Sequence, residues 1–160
     1  MPDASATPAA ESAPRRRWMG LLARATRSEL EEAWGRLASP PPFAHVRKPE
    51  TGLVLVRGRA GGTGPAFNLG EMTMTRCAVR VETSARRLVG LSYVAGRDVR
   101  RAELAAVFDA LLQDPRRAAE IEQAVVGPIE TRLAGQRAAR AAEVAATKVD
   151  FFTLVREQGA

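Results

Sequence analysis

The residues best suited to hold an anion are arginines grouped around a glycine run. Gly61-Gly62-Thr63-Gly64 follows Arg57 and Arg59 closely, and Arg76 stands downstream. Glycines let backbone N–H groups approach a phosphate, and successive amides can form an anion nest. Guanidinium groups add bidentate contacts to the same oxygens. No Lys-Ser/Thr pair of the Walker type follows, and the next segment patterns as a strand instead of a helix. Two readings therefore stand. In the first, which we prefer because glycine-rich loops are weak signals, the run is a hairpin or bulge loop that needs positive φ. In the second, Arg57, Arg59 and Arg76 converge beside Gly61, Gly62, Thr63 and Gly64 and hold an anion.

The remaining reactive side chains are few. A zinc site takes about four N or S ligands and an iron–sulfur cluster several thiolates. His45 and Cys77, the one histidine and the one cysteine, cannot supply either. Nucleophilic catalysis needs a base beside the nucleophile, and His45 has no motif partner. We expect an ordinary His45, an inert buried Cys77, no catalytic residue and no metal site. Arg97-Asp98 reads as a structural turn, with Asp98 capping a helix or ion-paired to Arg97.

The chain has 160 residues, with 46% apolar and 26% charged, ordinary values for a globular domain with a hydrophobic core. No apolar run approaches the ~20 residues of a membrane span. The first residues lack the basic start and apolar middle of a secretory leader, and a single cysteine fits a reducing compartment. The expected location is the cytoplasm. Net charge is +6, carried almost wholly by arginine, since Lys48 and Lys148 are the two lysines. Basicity permits nucleic acid, anionic metabolites or acidic proteins as partners. No nucleic-acid-binding motif or interleaving of basic and aromatic residues appears, so nucleic acid is not expected.

These residues must be positioned by an α+β fold. Residues 1–14, rich in Ala, Ser and Pro, are expected to be a disordered extension. A helix is expected from about Arg15 to Leu37, broken near Thr26–Ser28, with Ser28 as cap and Glu31 completing a capping box. Ser39-Pro40-Pro41-Pro42 stops it. Phe43 to Ala95 reads as an antiparallel meander of three or four strands. Its apolar parity flips near Arg76, implying a bulge or burial on both faces. Val89, Leu91 and Tyr93 share one face of the last strand. From Val99 the chain is helical: Leu104, Val107, Phe108, Leu111 and Leu112 make an apolar stripe, Asp114-Pro115 opens a further helix, and Gly127-Pro128 interrupts it. The expectation is a small antiparallel meander flanked by an N-terminal helix and several C-terminal helices, one domain over 15–147.

The C-terminal residues Phe151, Phe152, Leu154 and Val155 cannot all share one face of a helix or strand. So apolar a terminus either folds back or docks on another protein; we favour a docking segment over 148–160. Trp18 and Trp34, at helical spacing, are expected in the core.

Three blocks carry a family resemblance. They are Arg17-Trp18-Met19-Gly20-Leu21-Leu22-Ala23-Arg24-Ala25, the long run PETGLVLVRGRAGGTGPAFNLGEMTMTRCAVRV from Pro49 to Val81, and Lys148-Val149-Asp150-Phe151-Phe152-Thr153-Leu154-Val155-Arg156. In this order and spacing, across roughly residues 15–157, the chain resembles the PhnG family, the G subunits of bacterial carbon–phosphorus lyase. The resemblance implies a core complex with H, I and J subunits, chiefly the I subunit, and a transient L subunit. It implies a part in making α-D-ribose 1-methylphosphonate 5-triphosphate from ATP and methylphosphonate, with adenine released. ATP is then a substrate of the complex, and this chain binds no cofactor itself. The chemistry is attributed mainly to the I subunit, and carbon–phosphorus cleavage to the J subunit. Arg57, Arg59 and Arg76 would then help hold ATP or phosphonate at a shared interface. The competing reading is a stand-alone nucleotide-binding enzyme built on the glycine loop.

Overall fold

The structure, a computed structural model, describes residues 8–83 and 86–147, with the backbone alone for residues 8–12. Two helices, α1 (Pro8–Leu22) and α2 (Arg27–Arg36), precede three strands, β1 (Phe43–Arg59), β2 (Ala66–Glu82) and β3 (Arg87–Ala95). Helices α3 (Val99–Leu112), α4 (Ala118–Ile121) and α5 (Gly127–Ala146) follow. The strands form one antiparallel sheet in the order β1-β2-β3. The fold is α+β, with the expected meander between helical ends.

Helix α1 starts at Pro8, well inside the stretch expected to be disordered. Ala9, Ala10, Glu11 and Ala13 are strong helix formers. A helix anchored downstream propagates into them at little cost. The capping box lies two residues earlier than expected. Thr26 Oγ1 accepts from the Glu29 amide at 3.2 Å, and the Thr26 amide donates to Glu29 Oε2 at 2.7 Å. Glu31 instead pairs with Arg27 across one turn, at 2.9 Å. Asp98 caps α3 by accepting from the Arg101 amide at 3.0 Å.

Helix α3 covers one face of the sheet. Thr75, Cys77, Val79 and Val81 of β2 are buried beneath it, as are Leu88, Ser92 and Val94 of β3. The helix is buried on nearly every side from Ala102 to Leu112, more than its stripe suggested. The contact is close because Gly90 has no side chain. A Cβ there would lie 1.8 Å from the Ala106 carbonyl oxygen. Ser92 Oγ donates to the Ala102 carbonyl at 2.6 Å and fixes the same contact. Val89, Leu91 and Tyr93 do share a face, but it is the opposite one, and Val89 and Tyr93 are exposed. The irregularity expected near Arg76 lies on the neighbouring strand. Arg47 pairs with Ala78 and Glu50 with Arg76, so β1 carries one extra residue opposite Cys77. Pro49, unable to donate to a ladder, sits in that bulge. Met72 and Met74 point to the face opposite Cys77, because β2 keeps its alternation from Met72 to Val81.

Gly127-Pro128 does not interrupt the last helices. A π-helical turn, Glu122–Val126, joins α4 to α5, and the Gly127 amide reaches back to the Glu122 carbonyl. The wider turn accommodates the proline that a regular helix would reject. The preceding helix begins later than Asp114-Pro115 implies: Asp114 first closes a turn through the amides of Arg117 and Ala118. The chain divides into two compact units between Glu130 and Thr131, earlier than the expected single domain to residue 147. The first holds the sheet and the core. The described part of the second is the remainder of α5, a mostly exposed helix with an Arg132–Gln136 hydrogen bond.

Candidate functional site

The glycine run forms the tip of the β1–β2 hairpin. Gly61 and Gly62 have φ of 58° and 79°, the left-handed region that glycine enters without strain. A short 3-10 turn spans Ala60–Gly62, the Gly64 amide donates to the Ala60 carbonyl at 3.1 Å, and Arg59 Nη1 donates to the Gly64 carbonyl at 2.9 Å. Thr63 completes the turn. The loop leads into β2, so it does not open a helix. It is the hairpin loop requiring positive φ, and Arg59 braces it.

Arg57 lies beside this tip, exposed and with no hydrogen-bond or ion-pair partner among the described residues. Arg76 does not join it. Arg57 faces Asn68 in the ladder, whereas Arg76 faces Glu50. From Asn68 to Arg76 along β2 is roughly 26 Å at ~3.3 Å per residue. The convergence of Arg57, Arg59 and Arg76 that the second, less favoured reading requires therefore does not occur within this chain. Arg76 donates to Glu50 Oε2 through Nε at 3.1 Å and Nη2 at 3.0 Å. It lines a pocket of about 200 Å³ at the base of the hairpin with Glu50, Thr51, Met74 and Tyr93. Arg76 is thus ion-paired with Glu50, whereas Arg57 near the tip has no such partner among the described residues.

Of the two reactive side chains, His45 lies at the surface and Cys77 in the core. His45 Nε2 lies 2.9 Å from Glu103 Oε1, linking β1 to α3. Its ring meets Phe43 edge-on, and Phe43 meets Trp34 in the same way. Cys77 is buried; its thiol is pushed up to about 11, chiefly by burial and then by the charge of Glu103. Such a thiol stays protonated and unreactive at neutral pH. Asp98 acts as a helix cap, and Arg97 forms no ion pair with it. Among the described residues, no group of three or more His, Cys, Asp or Glu side chains gathers as a metal site would require. Phe151, Phe152, Leu154 and Val155 lie outside the described residues.

Asp109, which the sequence reading passed over, organises the core. It is fully buried on α3. Its carboxylate accepts from Arg15 Nη2 at 2.7 Å, Trp18 Nε1 at 2.8 Å and the Leu91 amide of β3 at 2.9 Å. One side chain thus ties α1, α3 and the outer edge of β3 together. The signal was present: a lone carboxylate inside the apolar run Leu104 to Leu112 must be paired if it is buried. The first resemblance block therefore contributes Trp18 to a structural lock.

Comparison with known proteins adds the family. The family described as phosphonate metabolism protein PhnG matches residues 13–157. The chain belongs to the PhnG family. A PhnG relative from Rhizobium meliloti (strain 1021), named as the alpha-D-ribose 1-methylphosphonate 5-triphosphate synthase subunit PhnG, is 49% identical over 144 residues, covering 90% of each chain. The PhnG match takes in Arg15, Trp18 and Asp109 of the buried lock and the whole β1–β2 hairpin. Among the described residues, no helix is long and apolar enough to cross a membrane.

Proposed function

We infer that this chain is an accessory subunit of an α-D-ribose 1-methylphosphonate 5-triphosphate synthase working in organic phosphonate catabolism. One observation carries the reading: 49% identity, over nine-tenths of both chains, to a protein named as that subunit. In the reaction, a methylphosphonate oxygen bonds to C1′ of the ATP ribose. The bond from C1′ to the base breaks, and adenine leaves with the phosphonate's proton. Bringing an anion to an anionic nucleotide demands neutralising charge. Arg57 and Arg59, beside Gly61, Gly62, Thr63 and Gly64 at the hairpin tip, supply it at an interface shared with a catalytic neighbour. Arg76, held by Glu50 at the hairpin base, belongs to that reading only if a partner reorganises the pair.

The partners are the carbon–phosphorus lyase H, I and J subunits, chiefly the I subunit, with L joining transiently. ATP is a substrate of the assembly, this chain holds no cofactor of its own, and the work takes place in the cytoplasm. Residues 148–160 form a docking segment through Phe151, Phe152, Leu154 and Val155. Deleting 148–160 weakens assembly more than it lowers domain stability; wild-type-like co-purification of the truncated chain would remove that assignment. The reading as a whole is tested by purifying the tagged chain from cells grown on methylphosphonate and identifying what accompanies it by mass analysis. Recovery of the H, I and J subunits is expected, and a chain recovered by itself ends the proposal.

A further inference from the structure

The β1–β2 hairpin is longer than the sheet it belongs to. Strand β3 ends at Ala95, opposite Met74. Strands β1 and β2 continue together to Arg59 and Ala66. The distal arm, residues 52–59 and 66–73, thus runs on as a two-stranded ribbon, and the outer edge of β2 from Ala66 to Met72 has no strand beside it among the described residues. An isolated ribbon of this kind is marginal in water, and a long apolar edge is a template for pairing with another chain.

The arm is apolar on both faces. Leu53 and Leu55, 64% and 56% exposed, share the face of Thr73 and Glu71. Farther out, Val56 pairs with Gly70 and Arg57 with Asn68, so β2 carries one extra residue there, and Gly70 has φ of 154°. This bulge reverses the parity of β2. It turns Phe67 and Leu69, 47% and 65% exposed, onto the other face with Val54 and Val56. Gly58 confirms the geometry: a Cβ there would sit 3.9 Å from Phe67 Cζ and from Leu69 Cδ2. A flat, one-sided seat would leave one pair of large side chains in water. A cleft covers both.

Charge selects the kind of cleft. The arm has Arg57 without a partner among the described residues and Arg59 engaged with a backbone carbonyl, against a single acid, Glu71. The whole chain is +6. Two copies repel each other, whereas an acidic protein is attracted. We propose that the distal arm inserts into an apolar cleft of an acidic partner protein, which covers both of its faces. This rests on the subunit reading above and adds a second docking surface, separate from residues 148–160. Insertion also carries Arg57 into the partner.

The test uses the full chain with the subunits it co-purifies with. Leu55→Ser and Leu69→Ser are made singly and together, and both partner affinity and the thermal midpoint are measured. Each single variant is expected to fold normally and to weaken binding, and the pair to weaken it on the order of 30-fold or more, as for loss of an interface hot spot. Unchanged binding by the double variant, with the wild type still co-purifying, overturns arm insertion and leaves the subunit reading standing. Failure of the wild type to associate with any protein overturns both. An effect confined to one of the two leucines shows a one-sided seat and contradicts insertion. A wild-type homodimer that dissociates in the double variant assigns the arm to a second copy, and a lowered thermal midpoint in the isolated double variant assigns it to this chain's own packing; either overturns the proposal.

Discussion

The two ends of one hairpin differ in fate although they share a residue palette. At its base, β2 buries Thr75, Cys77, Val79 and Val81 under α3. Toward its tip, the same hairpin exposes Leu53, Leu55, Phe67 and Leu69. Alternation and β-propensity are alike in both halves, so neither decides what is core. Coverage does: α3 and β3 stop where the arm begins. The base should therefore govern folding and the arm association.

The largest effect is expected at Gly90. Replacing it with Val drives a branched side chain into the Ala106 backbone, where a Cβ would already be 1.8 Å from the carbonyl oxygen. Backbone cannot yield as a flexible side chain does, so the loss should exceed about 4 kcal/mol or prevent folding. A denaturant midpoint near wild type would show that α3 does not rest on β3 as described. Asp109→Ala comes next. It strands the Trp18 and Leu91 donors and leaves Arg15 without its carboxylate, at an expected cost of about 3 kcal/mol. A loss under about 1 kcal/mol in chemical denaturation would remove Asp109 as the lock.

Cys77 sharpens the same contrast by its chemistry. With its thiol raised from 9.0 to about 11, the folded thiolate fraction at pH 8 falls on the order of 100-fold. A raised thiol stabilises the native state below pH 9, and that contribution is lost as pH rises from about 9 towards 11, because the unfolded chain ionises first. Labelling by a thiol reagent should be slow in the native protein and fast in denaturant; equal rates would place Cys77 outside the core. The smallest effect is at the hairpin base. Arg76→Ala breaks an exposed pair with Glu50 and should change stability by less than about 1 kcal/mol. A larger loss would make that pair part of the core instead of its surface.

Much of this was legible in the sequence. Asp98 as a cap, the glycine run as a tight turn, Cys77 as core and three strands in a meander follow from local chemistry. What escaped was set by distant neighbours. Asp109 is polar in an apolar run, and its partners lie on α1 and β3. Val89 and Tyr93 have core-like spacing but face away from α3. Arg57 and Arg76 are near in the sequence of motifs yet far apart along a strand, because an extended chain spends its length. The capping frame slipped by two residues because Thr26 and Ser28 both present a hydroxyl, and only the reach of Glu29 distinguishes them.

The central claim is that this chain contributes to chemistry through its neighbours. Adenine release from ATP and methylphosphonate measures it directly, in three mixtures: this chain by itself, its partner subunits without it, and the complete set. Adenine from the complete set, with none from the chain by itself and little from the partners without it, is the predicted result. Turnover by the isolated chain, or an undiminished rate when it is left out, would contradict the account.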